Sequence, residues 1–229
     1  TFLILGKSCT RRCGFCAVAK APPQELDPDE PGRIARAVSR LGLRRVVITS
    51  VTRDDLPDGG SGHFAGCIEE IRKRAASDTK IEVLIPDFKG HAVNIKRVVD
   101  AKPDILGHNI ETTPRLYNQI RPGAEYKRSL ELLMYSRRIR PGLTVKSGFM
   151  LGLGETQSEA ISVMRDIKMA GCDILAIGQY LRPTTEQIEV KKYIRPEVFL
   201  RLEKIGYLLG FRQVQAGPFV RSSYRSLAT

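Results

Sequence analysis

Short apolar segments rich in β-branched residues alternate along this chain with longer amphipathic segments. Such alternation is typical of βαβ units, in which right-handed helical crossovers join parallel strands. No Ser- or Gly-rich linker interrupts the pattern, so we expect one α/β domain over residues 1–229. The predicted strands are Phe2–Leu5, Arg45–Val51, Ile81–Ile85, Ile105–Ile110, Val145–Leu151 and Ile174–Tyr180, and the predicted helices lie near 29–41, 62–76, 89–101, 126–139, 157–170 and Pro196–Leu209.

Six such units fit either a doubly wound sheet or a barrel with fewer strands than the eight of the complete form. Both folds place ligands at the carboxyl ends of the parallel strands. The sequence therefore predicts a ligand site at one rim of the sheet, because polar and glycine-rich segments follow five of the predicted strands. These segments are Cys9–Cys16, Thr52–Gly60, Glu111, Gly152 with Gly154 and Glu155, and Arg182 with Pro183.

The composition limits the class of protein. With 229 residues, 42% hydrophobic and 27% charged, the chain reads as soluble and globular, and its apolar runs are too short to span a bilayer. Its five cysteines do not resemble a disulfide framework, so we expect a reducing compartment: the cytoplasm, or a mitochondrion or plastid in a eukaryote.

The net charge of +12 is spread over predicted helix faces, with one dense cluster at Arg137, Arg138 and Arg140. A solvated basic surface is the simplest interpretation, and an acidic protein or an anionic small molecule is the partner that such a charge favours. No nucleic-acid-binding signature accompanies the charge, so we do not expect nucleic acid as a partner.

Three cysteines, Cys9, Cys13 and Cys16, form a Cys-x-x-x-Cys-x-x-Cys loop directly after the first predicted strand. Thiolates in one short loop can converge on one metal centre, and they suit zinc or an iron–sulfur cluster. A four-iron cluster held by three thiolates leaves one iron open to a small molecule. Arg11 and Arg12 are expected to offset part of the negative charge of such a cluster.

Zinc and free thiols are the alternatives for this loop. Zinc prefers a fourth ligand and commonly uses a second Cys-x-x-Cys pair, which this sequence lacks. Cys67 and Cys172 are isolated, and we expect them to be packed core thiols.

The cysteine loop and its place after the first strand resemble the radical S-adenosylmethionine (SAM) superfamily. The resemblance implies a partial (β/α)6 TIM-type barrel in which Cys9, Cys13 and Cys16 bind a 4Fe–4S cluster. It implies that the open iron binds SAM, which yields a 5′-deoxyadenosyl radical. The residues expected to contact SAM, or for the two cations also an acidic substrate, are Thr49, Ser50, Asn109, Glu111, Lys146, Gly152 and Arg182.

For five of these residues a purely structural role is the alternative interpretation. Thr49 and Ser50 suit a helix cap or a turn. Asn109 and Glu111, two apart on a predicted strand and therefore on one side, suit a hydrogen-bonded pair. Gly152 suits a tight turn between a strand and a helix.

Further segments resemble one family of that superfamily, the lipoyl synthases. Single pieces such as Gly152–Gly154 are weakly specific, but the ordered set runs almost from end to end and is highly specific. The resemblance also implies that the loop Asp54–Gly60 faces the substrate. The matching segments are Thr1–Gly6, Val47–Gly60, His108–Thr112, Lys146–Glu155, Gly178–Thr184 and Gly217–Tyr224.

The segment Arg221–Tyr224 has the sequence Arg-Ser-Ser-Tyr. In lipoyl synthases this motif supplies a serine oxygen to a second, auxiliary 4Fe–4S cluster, which is consumed as the sulfur source. The resemblance therefore assigns Ser223 as a metal ligand and catalytic residue, with Ser222 as the alternative. Both serines fall in a C-terminal extension over residues 211–229.

The family also carries three more cysteines, in a Cys-x4-Cys-x5-Cys run upstream of the first barrel strand, and this sequence has no such run. We expect either an upstream segment or a separate polypeptide to supply them, and the start of the sequence within a strand favours the upstream segment. By itself the chain is then expected to bind the SAM cluster but not the auxiliary cluster.

The resemblance implies a radical SAM sulfurtransferase that inserts two sulfur atoms at C6 and C8 of an octanoyl chain. The octanoyl chain would be carried on a lipoyl-domain or H-protein-type carrier, and a single-electron donor would be needed. A biotin-synthase-like sulfur-inserting enzyme is one alternative. A non-catalytic zinc- or RNA-binding module is another.

Overall fold

A computed structural model describes residues 1–223. Residues 224–229, which include Tyr224 of the Arg-Ser-Ser-Tyr motif and the end of the predicted extension, lie outside the described residues. Seven parallel strands form a single sheet in chain order, and neighbours in sequence are neighbours in the sheet. The strands are β1 (Phe2–Ile4), β2 (Arg45–Ser50), β3 (Lys80–Leu84), β4 (Ile105–Gly107), β5 (Thr144–Leu151), β6 (Ile174–Gln179) and β7 (Gln213–Gly217).

The predicted partial barrel is confirmed in its architecture, because each strand pairs in parallel with the next and the described residues show no pairing of β1 with β7. The strand count of six is wrong by one. Gln213–Gly217 pairs with β6, with Gln215 level with Ala176. The segment predicted as a simple extension therefore begins with a seventh strand.

Seven helices connect the strands, and their ends follow local signals. A capping box of Thr156 and Glu159 starts the sixth helix. The third helix begins later than predicted, because Phe88 and Lys89 adopt positive φ angles in a 3-10 turn, Phe88–Gly90. The helices are α1 (Glu30–Arg40), α2 (Ser61–Arg74), α3 (Ala92–Asp100), α4 (Tyr117–Ile120), α5 (Tyr126–Ile139), α6 (Gln157–Met169) and α7 (Pro196–Leu208).

The two faces of the sheet differ in chemistry. The outer face packs against the helices and forms the apolar core, with side chains such as Val145, Leu175 and Ile177 fully buried. The inner face alternates with it and carries Gly148, Met150, Ala176 and Gly178 on β5 and β6. This inner face is the space in which a ligand can be held. Within residues 1–223, none of the helices combines the length and the apolar character needed to cross a membrane.

Candidate active site

The cysteine loop lies at the carboxyl end of the sheet, directly after β1. Cys9, Cys13 and Cys16 are free, half-buried thiols that line one cavity of about 160 Å³. Within residues 1–223, no three His, Cys, Asp or Glu side chains are grouped closely enough to hold a single metal ion. The three thiols instead lie around the cavity. Burial raises the pKa of Cys13 to about 11 and also raises that of Cys16.

Two hydroxyl side chains at the end of β2 line the same cavity. Thr49 Oγ1 donates a hydrogen bond to the Leu84 carbonyl at 3.3 Å. Ser50 Oγ is buried and has no hydrogen-bond partner among the described residues. A buried hydroxyl without a partner is unfavourable unless a ligand satisfies it. The thiols and this hydroxyl therefore fit a polar group bound in the cavity.

Asn109 and Glu111 line this cavity as well. The strand β4 ends at Gly107, so the predicted strand alternation does not explain their common direction. Glu111 instead has a positive φ of 70°, a conformation that is strained for a side chain with a Cβ and that occurs mostly at functional sites. Its side chain is hydrogen-bonded to that of Asn109. Burial raises the pKa of Glu111, and a nearby arginine opposes the rise.

That arginine is Arg121, a site residue that the sequence reasoning missed. It is buried, it lines the cysteine cavity, and it is the main cation opposing the raised pKa of Cys13. Its Nη1 donates to the Asn109 carbonyl at 2.8 Å and to the Tyr117 hydroxyl at 2.6 Å. Arg121 follows a short helix far from the motifs, so only the turn signal Pro122-Gly123 marks its neighbourhood in the sequence.

A buried polar network supports Arg121. The hydroxyls of Tyr117 and Ser129 lie 2.8 Å apart, and Ser129 Oγ lies 3.0 Å from Nε2 of His108. His108 Nδ1 lies 2.8 Å from the Ile85 carbonyl. Because burial lowers the pKa of His108 to about 3, the ring is neutral, and Nδ1 donates to that carbonyl. The network fixes the guanidinium between Cys13 and Glu111.

A second cavity, of about 270 Å³, lies inside the barrel next to the first. The two share the side chains of Phe15, Leu84, Asn109 and Glu111 as walls. The rest of its lining is mostly small or apolar and includes Gly148, Met150, Ala176, Gly178 and Tyr180.

The segment after β7 returns across this second cavity. A Cβ on Gly178 would lie 2.4 Å from the Val220 carbonyl, so the absence of a side chain there admits the segment. Ser222 lines the cavity and Ser223 does not, although both are half-buried. Ser222, the alternative of the two predicted serines, thus lines the cavity, and the assignment of Ser223 or Ser222 as a metal ligand stays a prediction.

Comparison with known proteins identifies the family. The model of the radical SAM superfamily matches residues 3–167. A lipoyl synthase of Caldanaerobacter subterraneus subsp. tengcongensis is 55% identical over 226 residues, covering 99% of this chain and 79% of the relative. One of Rubrobacter xylanophilus is 54% identical over 226 residues, covering 99% and 70%. The chain belongs to the lipoyl synthase family.

A solved structure shows the same fold at low sequence identity. Methylornithine synthase superposes with a TM-score of 0.68 at 14% identity, covering 99% of this chain and 76% of that chain. The predicted radical SAM fold is thus confirmed.

Lys146 was predicted to contact SAM or an acidic substrate, but in this member of the lipoyl synthase family it lies below the rim of the barrel. It is the third residue of β5, is only 2% exposed, and points into the barrel. Its Nζ donates to Oε1 of Glu82, which is 6% exposed, at 2.8 Å. The ion pair lies one inner-face position below Gly148, beneath the second cavity. Lys146 is therefore placed below the rim by its position near the amino end of its strand, and its contact with SAM or an acidic substrate stays a prediction.

Gly152 and Arg182 also line neither cavity. A Cβ on Gly152 would lie 2.2 Å from Nε2 of Gln179 and 2.5 Å from the Lys192 carbonyl, so its small size serves packing within the chain. Arg182 is exposed, and its Nε donates to the Gln187 carbonyl at 2.7 Å. Both residues thus make contacts within their own loops, and their binding of SAM stays a prediction.

The charges near the cysteines are also arranged differently from the prediction. Arg11 does not face the thiols, because its guanidinium is buried against Asp54 and Asp87, and Arg12 is exposed. In the loop predicted to face the substrate, Asp54 binds Arg11, and Asp55 binds its neighbour Arg53.

The same loop also forms the start of α2. Asp58 accepts hydrogen bonds from the N–H groups of Gly60 and Gly62. Gly60 has a φ of 88°, and a Cβ there would lie 2.4 Å from Leu5 Cδ1. The three carboxylates of the loop thus hold the protein's own atoms.

The arginine cluster lies far from the site. Arg137 and Arg140 donate to backbone carbonyls that precede β4, β5 and β6, at the opposite end of the sheet from the cysteine loop. Cys67 and Cys172 are 0% exposed, as expected of core thiols.

Proposed function

We propose that this chain carries the radical SAM part of the lipoyl synthase reaction, in which sulfur is inserted at C6 and C8 of an octanoyl group on a lysine of a carrier protein, and that the ligands of the sulfur donor come from outside the described residues. The observation that carries the proposal is the pair of adjoining cavities. One is lined by three thiols, the other by Ser222 and by small or apolar side chains, and Asn109 and Glu111 form a wall of both. Relatives named lipoyl synthase at 54–55% identity support it.

In this proposal Cys9, Cys13 and Cys16 hold a 4Fe–4S cluster, and Thr49 with Ser50 receives the amino group of SAM. When bound, the cluster and SAM supply a 5′-deoxyadenosyl radical, which removes hydrogen from an unreactive carbon. The chain's own residues bind and orient. The unpartnered Ser50 Oγ offers a hydrogen-bonding group at the cysteines.

Glu111 and Asn109 would bind the ribose hydroxyls of SAM. A carboxylate accepts hydrogen bonds from hydroxyl groups best when it is ionised. Burial raises the pKa of Glu111 and so favours its neutral form, whereas the nearby charge of Arg121 opposes the rise and favours the ionised carboxylate. The buried network behind Arg121 holds that charge in place.

The second cavity is the proposed acyl site. Burial of a hydrocarbon chain against Leu84, Met150 and Ala176 contributes about 0.8 kcal/mol for each CH₂ removed from water. Gly148 and Gly178 line the space without side chains, and the segment carrying Ser222 covers it. The octanoyl chain is thereby held beside the wall that this cavity shares with the cysteine cavity.

The auxiliary cluster is not accommodated by the described residues alone. Ser222 offers one oxygen at the second cavity, but the thiols outside the cysteine loop, Cys67 and Cys172, are fully buried in the core. The sulfur donor therefore requires ligands from outside residues 1–223. The proposed partners are an octanoylated lipoyl-domain or H-protein-type carrier and a single-electron donor, in a reducing compartment such as the cytoplasm that preserves three adjacent free thiols.

The test is anaerobic reconstitution with iron and sulfide, followed by incubation with SAM, a reductant and an octanoylated lysine peptide. We expect 5′-deoxyadenosine from the wild-type protein, none from Cys13→Ala, and an unchanged amount from the control Cys67→Ala. A dethiobiotin substrate tests the biotin-synthase-like alternative and is expected to give no response. If the wild-type protein forms no 5′-deoxyadenosine, or binds zinc instead of iron and sulfide, the proposal is wrong.

A further inference from the structure

The loop that carries the cysteines is joined to the loop after β2 through Thr10. The Thr10 N–H and its hydroxyl each donate to the Thr52 carbonyl at 3.0 Å. The same hydroxyl oxygen accepts a hydrogen bond from the Asp54 N–H at 3.0 Å. Because Thr10 directly follows Cys9, these three bonds fix the backbones of both loops beside the first cysteine.

Arg11 connects these two loops to the body of the protein. Its Nε and Nη2 donate to the Asp54 carboxylate at 2.8 and 3.1 Å, and Nη2 also donates to Asp87 at 2.5 Å. Asp87 is 0% exposed and accepts a further bond from Arg128 Nε, on α5, at 2.8 Å. The loops after β1, β2 and β3 are thus linked by buried charge-assisted hydrogen bonds, which are stronger than neutral ones.

These contacts between the loops place two backbone N–H groups against the sulfur of Cys9. The Thr52 N–H donates to Cys9 Sγ at 3.3 Å, and the Arg11 N–H donates to it at 3.5 Å. Hydrogen bonds to the thiolate ligands of an iron–sulfur cluster are among the factors that set its reduction potential. They stabilise the additional negative charge of the reduced state and so raise the potential.

We propose that Thr10, with the Arg11–Asp54 ion pair, acts as a positioning residue that holds the Thr52 N–H against Cys9 Sγ and thereby raises the reduction potential of the cluster. The inference rests on the proposed cluster at the cysteine loop. It adds that three residues which bind no ligand set how readily the cluster accepts its electron.

The test is a redox titration of the reconstituted protein, with the reduced cluster followed by EPR and the iron and sulfide content measured for each variant. Thr10→Val and Asp54→Asn are the test variants. Thr79→Val is the matched control, because Thr79 is a buried threonine whose hydroxyl donates to the Leu43 carbonyl at 3.2 Å, at the opposite end of the sheet. Thr10→Ser keeps the hydroxyl and tests for rescue.

We expect Thr10→Val to lower the reduced-to-oxidised ratio about fivefold at the wild-type midpoint, or about 40 mV at 59 mV per decade. Asp54→Asn should shift in the same direction, whereas Thr79→Val and Thr10→Ser should keep the wild-type midpoint. If Thr10→Val loads too little cluster to titrate, Asp54→Asn decides. Wild-type midpoints in every variant that loads would overturn the inference, whereas failure of the wild-type protein to bind any cluster would overturn the proposed function itself.

Discussion

The buried ion pair between Lys146 and Glu82 allows a structural role and a ligand-binding role to be separated by mutation. Lys146→Met removes the ammonium and keeps much of the side-chain volume, but it leaves the Glu82 carboxylate inside the barrel without this counter-charge. The double variant Glu82→Leu/Lys146→Met removes both charges together. A structural pair predicts a large loss of stability in the first variant and little or none in the second.

The magnitude follows from the geometry. At an effective dielectric constant of about 20, unit charges 2.8 Å apart attract by about 6 kcal/mol, and desolvation of two largely buried groups offsets much of this. Breaking such a pair from one side costs about 3–5 kcal/mol, whereas replacing both partners is often neutral or stabilising by about 1–4 kcal/mol. We therefore expect Lys146→Met to lower the free energy of unfolding by about 4 kcal/mol and the double variant to lie within about 1 kcal/mol of wild type or above it.

The dependence on pH gives an independent check. Burial raises the pKa of Glu82, although the charge of Lys146 opposes the rise. A group with a raised folded pKa contributes stability at low pH and loses that contribution as the pH rises through the folded pKa. Because Lys146→Met removes the charge that opposes the rise, the stability deficit of this variant should shrink as the pH falls.

The assay is urea unfolding of the metal-free protein at several pH values, combined with SAM affinity of the reconstituted proteins. The double variant should bind SAM as the wild type does, because the pair lies below the cavities. The reasoning is refuted if the double variant is as unstable as Lys146→Met. It is also refuted if both variants lose SAM affinity in proportion to the missing ammonium, which is the result that a ligand-binding Lys146 predicts.

Although burial opposes it, the hydrogen bonds from two arginines hold the pKa of Asp87 well below its usual range. Asp87→Asn should therefore be less stable than the wild type in urea unfolding, and this difference should be largest near pH 6 and shrink below about pH 4. A difference that persists at low pH would contradict this. Gly178→Ala should displace Val220, whose carbonyl a Cβ would meet at 2.4 Å, and so expose the C-terminal segment to protease at least tenfold faster, whereas Gly142→Ala, with open space around it, should not. Cys67, with a pKa raised by burial to about 12, should resist iodoacetamide in the native protein at pH 8, and rapid labelling detected by mass spectrometry would show that the core opens there.

The sequence predicted the sheet well because buried parallel strands carry a strong apolar signal. Strands such as Ile174–Gln179 are within one residue of the prediction. The seventh strand was missed because Gln213 and Gln215 interrupt the apolar run, and their place on the inner face is decided by pairing with β6. The end of β4 was placed three residues too late, at Ile110 instead of Gly107, although the N–H groups of His108 and Ile110 still donate to carbonyls of β5.

The candidate site was predictable where residues close in sequence act together, as in the cysteine loop. Arg121 was not, because its role arises from contacts with Asn109 and Tyr117 that only the folded chain brings together. The partners of Lys146 and Arg182 could not be predicted, because a charged residue near a motif does not reveal whether another charge or a backbone carbonyl of its own loop binds it.

The central claim is that Cys9, Cys13 and Cys16 hold a four-iron cluster whose remaining iron is open to SAM. Electron–nuclear double resonance on the reduced, reconstituted protein, with SAM isotopically labelled in its amino and carboxylate groups, tests this most directly. We expect hyperfine coupling from both labelled groups to the cluster in the wild-type protein and in Cys67→Ala, and none in Cys13→Ala. A cluster signal that is indifferent to labelled SAM, or no cluster signal at all, would contradict it.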